Sequence, residues 1–66
     1  MDKSQVTSGL FGLITAKLEA AHDASIIGQG RSIPDEGKKA AINELKTYLD
    51  EVEILLSAIE LIGSPS

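Results

Sequence analysis

Apolar residues recur at helical spacing through two stretches of the chain, and one cluster of turn-forming residues separates them. In the first stretch Val6, Leu10, Leu13, Ile14, Leu18, Ala21 and Ala24 share a broad arc at about 100° per residue, with Phe11 at its edge. Gln5, Ser8, Gly12, Thr15, Glu19 and Asp23 fall on the opposite face. This spacing predicts a helix over about 4–27, capped by Asp2 or Ser4 and ended by Gly28 in the left-handed conformation. Gly9 and Gly12 each cost about 1 kcal/mol relative to alanine in a helix interior. They mark frayed first turns, the preferred reading, or a place where another backbone comes close.

Gly28-Gln29-Gly30-Arg31-Ser32 is the expected turn. Ser32-Ile33-Pro34-Asp35 then reads as an N-cap with an acid three residues on, which predicts a second helix over about 33–62. Asp35 and Glu36 suit the positive end of its dipole. Along this helix Ile42, Leu45, Leu49, Val52, Leu56 and Ile59 alternate at spacings of three and four, a heptad seam. A second stripe, Ala41, Tyr48, Leu55 and Ile62, lies beside it, and a third, Ile54 and Leu61, occurs only near the end. Glu44 and Glu51 fall opposite the seam, and Gly63-Ser64-Pro65 supplies the stop.

Two long helices with a connection of a few residues fold back on each other. The expected fold is therefore all-α, an antiparallel two-helix hairpin forming a single domain over 1–66. One partner helix cannot cover three adjacent apolar stripes, so the C-terminal third is expected inside a multi-helix assembly. Two hairpins closing into a four-helix bundle meet that need. Composition strengthens the case. A 66-residue chain has little core, and with no cysteine it has neither disulfide nor thiolate zinc site. Association with another chain, first of all a homodimer, is the remaining staple. The expected interface is Ile42, Leu45, Leu49, Val52, Ile54, Leu55, Leu56, Ile59, Leu61 and Ile62.

Charge narrows the partners. The net charge of −4 arises wholly after Ile33, where Lys38, Lys39 and Lys46 face seven carboxylates. Phosphate backbones and anionic lipid repel such a chain, so neither nucleic acid nor a membrane is an expected partner. Leu10 to Ala16 is interrupted by Lys17 and Glu19, unlike a signal peptide, and Ile54 to Ile62 is too short to span a bilayer. A cytoplasmic protein is expected.

Candidate chemistry changes this picture little. Gly28 to Ser32 leads into a helix N-terminus, where amides bind anions. No strand precedes it, no Walker lysine follows, and Asp35 and Glu36 repel phosphate, so it reads as a turn. His22, with Glu19 and Asp23 nearby, reads as a partly exposed polar residue rather than a metal half-site or base. Glu19 and His22 make the Glu-x-x-His spacing of di-iron bundles only once, so Glu44, Asp50, Glu51, Glu53 and Glu60 read as a solvated acidic face. The serines lie at caps, turns and surfaces with one base to serve them, so no nucleophilic triad is expected. Gly9 to Ile14 looks like an interfacial insert, yet the basic polar face of such helices is missing. No catalytic residue, metal or cofactor is expected. The sequence points to a non-enzymatic, self-associating interaction or structural protein. Its alternative is a small acidic regulator, antitoxin-like or inhibitor-like, that docks a protein through the C-terminal apolar ridge.

Overall fold

The computed structural model describes residues 2–63, and within them the chain forms two helices, α1 (Lys3–Gly28) and α2 (Asp35–Gly63). Asp2 caps α1 from an extended backbone (φ −91°, ψ 167°), its Oδ1 accepting the Gln5 N–H at 2.8 Å. Helix α1 then runs unbroken through Gly9 and Gly12, both exposed, and a methyl group on either would touch nothing within 4 Å. Among the described residues no other part of the chain approaches there.

Gly28 does not end α1 as a left-handed residue, because no described residue has positive φ. The chain tightens instead. The Gln29 N–H is shared between the carbonyls of Ser25 (3.2 Å) and Ile26 (3.1 Å), and the Gly30 N–H reaches Ile27 O at 3.1 Å. Gly28 faces α2: a methyl in place of its hydrogen would lie 3.7 Å from Ala41 Cβ, at ordinary contact distance.

Helix α2 starts at Asp35 rather than Ile33, and Ser32 is not its cap. The carbonyl of Pro34 accepts the first bond, from the Lys38 N–H at 3.1 Å. Proline disfavours helical backbone at the residue before it, so Ile33 cannot open the helix. Ile33 instead closes the connection, lodged between Gly30 and Gly37. A methyl group on either glycine would come within 2.6 Å of the isoleucine side chain. At the far end α2 reaches Gly63, and the expected stop at Ser64 and Pro65 lies outside the described residues.

The two helices run antiparallel: Lys17 pairs with Glu51, and Gly28, further along α1, meets Ala41, earlier along α2. The α1 residues turned toward α2 are Thr7, Leu10, Ile14, Lys17, Ala21, Ala24 and Gly28, at alternating spacings of four and three. The matching residues of α2 are Ala41, Leu45, Tyr48, Val52, Leu55, Ile59 and Ile62. This corrects the expected seam. Leu45, Val52 and Ile59 face α1, but Ile42, Leu49 and Leu56 lie to one side of the contact and are exposed, Leu49 by 53%. The stripe beside them, Ala41, Tyr48, Leu55 and Ile62, takes their place. Small residues decide this register. Near the turn α1 offers Ala21, Ala24 and Gly28, and Ala41 is the small residue of α2 that lets the helices meet there. On α1, Leu13 and Leu18 are likewise exposed, as is Phe11.

Glu51 is also misplaced by the sequence reading. It flanks the interhelical contact, half-buried, as the partner of Lys17. The hairpin measures 50 × 16 × 14 Å. Its buried apolar residues are Ile14, Ala21, Ala24 and Ala41, three of them alanines, so it has almost no core of its own.

Candidate association surface

The seam divides the rest of the hairpin into two broad faces. On one, α1 contributes Phe11 and Leu18, seven residues apart, and α2 contributes Ile42, Leu49 and Leu56 at the same interval. Seven residues are nearly two helical turns, so each set lines up along its helix. Ser25, next in the α1 set, lines a shallow groove together with Ile42, which places both sets on the same side. The result is a stripe of five large, exposed, apolar side chains running most of the molecule's length.

The other face is different. Leu13, Ile54 and Leu55 line a groove there with Lys17 and Glu51. The Lys17–Glu51 ion pair is about one-third exposed on both sides and sits between apolar neighbours. Ile54 and Leu61 are the most exposed large apolar residues described, at 68% and 83%. The acidic side chains Asp50, Glu53 and Glu60 lie on the outer surface of α2, between Ile54 and the stripe residue Leu56.

Polar residues form a rim rather than a site. His22 is largely exposed, its Nδ1 3.7 Å from Asp23 Oδ1, in an open groove with Thr15, Leu18 and Glu19. Thr7, Thr15, Ser25 and Thr47 donate their hydroxyls to carbonyls of their own helices, at 2.7–3.2 Å. Among the described residues no three His, Asp or Glu side chains come together to hold a metal ion. No described helix is long and apolar enough to cross a membrane.

The chain matches no family model, no curated protein and no solved structure.

The ten residues expected at the interface thus divide three ways. Leu45, Val52, Leu55, Ile59 and Ile62 are half-buried against α1; Ile42, Leu49 and Leu56 lie on the stripe; Ile54 and Leu61 lie across from it. The expected interface lay on α2 alone, and the structure sets the exposed Phe11 and Leu18 of α1 beside Ile42, Leu49 and Leu56. Their seven-residue spacing, matching that of Ile42, Leu49 and Leu56, was the available signal.

Proposed function

We propose that this is a non-enzymatic, self-associating helical protein of the cytoplasm, whose working form is a homodimer in which two hairpins complete a four-helix bundle. One observation carries the reading: the hairpin leaves its large apolar side chains in water. Its accessible surface is 5072 Å², against about 4,000 Å² for a compact chain of this mass. The excess is close to the roughly 800 Å² that each partner contributes to an ordinary stable interface. A continuous stripe of leucine, isoleucine and phenylalanine is the kind of surface that monomeric proteins avoid. Ile42, Leu49 and Leu56, with Phe11 and Leu18, supply the surface that a second copy covers.

Light scattering at micromolar concentration tests this. The expected mass is about twice that of the chain, and a well-folded monomer contradicts the proposal.

The exposure of Ile54 and Leu61 favours a second reading, in which a small acidic regulator docks a protein through them. Changing both to aspartate separates the two roles. If they serve a different partner, dimer mass and helicity persist; if they lie between subunits, both fall.

A further inference from the structure

The charges beside the stripe bear on how a second copy would lie on it. Along α2 the charged residues next to Ile42, Leu49 and Leu56 are Lys38, Lys39 and Lys46 on the turn side, then Asp50, Glu53 and Glu60 toward the open end; all six are exposed. All three lysines of α2 precede Leu49, and no cation follows it. Two face-to-face arrangements have two-fold symmetry. With both turns at the same end, each α2 lies over the α1 of its neighbour. The rim of α1 on this side carries Ser8, Thr15 and His22, which leaves Glu53 and Glu60 without partners. With the turns at opposite ends, α2 lies antiparallel on the α2 of the second copy.

In that second arrangement a single register of α2 on α2 sets lysines against acids. An axis at Leu49 sets Leu49 on its own counterpart and Ile42 opposite Leu56. The same axis brings Lys38 to Glu60 and Lys46 to Glu53, all pairs centred within half a residue of one point. Charges flanking an apolar seam in this way fix orientation and register more than affinity. The face itself is chosen by the ion pair. The stripe has no charged residue within it, whereas closing the opposite face would strip water from Lys17 and Glu51, at a desolvation penalty.

We infer that a second copy of this chain binds on the stripe formed by Phe11, Leu18, Ile42, Leu49 and Leu56, with the two turns at opposite ends and the two-fold axis at Leu49. This rests on the self-association proposed above, and the two fail separately. The absence of cysteine allows a direct test with single-cysteine variants and a short bifunctional maleimide. Leu49→Cys should cross-link to itself about a hundredfold faster than Ile54→Cys, because a site in a dimer interface is at millimolar effective concentration. Ile42→Cys alone should resemble Ile54→Cys, since its two copies stand about 21 Å apart along the helices. Ile42→Cys mixed with Leu56→Cys should cross-link as fast as Leu49→Cys. Selective cross-linking of mixed Leu18→Cys and Leu49→Cys would instead place the turns at the same end and overturn the orientation. Cross-linking through Ile54→Cys alone would overturn the choice of face. Either of these leaves the dimer itself standing, whereas a monomeric mass by light scattering for the unaltered chain removes both.

Discussion

Glycines that look alike in the chain do opposite work in the fold. Gly9 and Gly12 open onto empty space in the interior of α1, so each forgoes the helix-forming advantage of alanine. Gly9→Ala and Gly12→Ala should each raise stability by about 1 kcal/mol in thermal unfolding. A loss would show that another chain comes close there. Gly37 carries the same intrinsic penalty in the first turn of α2, but its missing side chain makes room for the Ile33 methyl. Gly37→Ala should therefore destabilise, by about 1–3 kcal/mol as for other overpacked sites. Ala24, 2% exposed against α2, is the tightest point of the hairpin. Ala24→Leu should cost about 1–3 kcal/mol, while Ala16→Leu, on the exposed side of α1, should change stability by under about 0.5 kcal/mol. Equal shifts would contradict the assigned contact. None of these roles was readable from residue type, because propensity is local and the space around a glycine is set by the other helix.

At the scale of the helices, existence was legible and register was not. Periodic apolar positions, the acid pair Asp35 and Glu36, and the cluster from Gly28 to Pro34 were enough to expect two helices and a reversal between them. The face of α2 was ambiguous because it carries apolar residues on adjacent stripes, and a sequence scan favours the bulkier set. Ile42, Leu49 and Leu56 outweigh Ala41 and Tyr48 in hydrophobicity, yet close approach near the turn is governed by small residues, and Ala41 meets Gly28. Helix α1, with its alanines and glycines, held the deciding information. Two leucines six residues apart on α2, Leu49 and Leu55, test the register. Leu55→Ala, facing α1, should destabilise the hairpin by about 2 kcal/mol, the low end for leucine truncation because the site is half-buried. Leu49→Ala, on the stripe, should lower the same coupled transition by weakening the dimer, whereas Glu44→Ala, exposed on α2, should change it by under about 0.5 kcal/mol. The Lys17–Glu51 pair, partly exposed, should matter little to stability: Lys17→Ala should cost under about 1 kcal/mol, and less as salt is added.

The whole molecule is a rod with an unfinished interior. Its radius of gyration is 15.3 Å, against about 11 Å for a compact domain of this length. A hairpin whose buried residues are mostly alanine has little to set against the conformational entropy of ordering its chain. Folding and association should then be one process. That claim is tested most directly by thermal unfolding followed by circular dichroism over a range of protein concentrations. For a coupled dimer of this size Tm should rise by about 5 °C for each tenfold increase in concentration, as mass action requires, and helicity should be lost on dilution. A Tm independent of concentration, with full helicity in the most dilute sample, would contradict it.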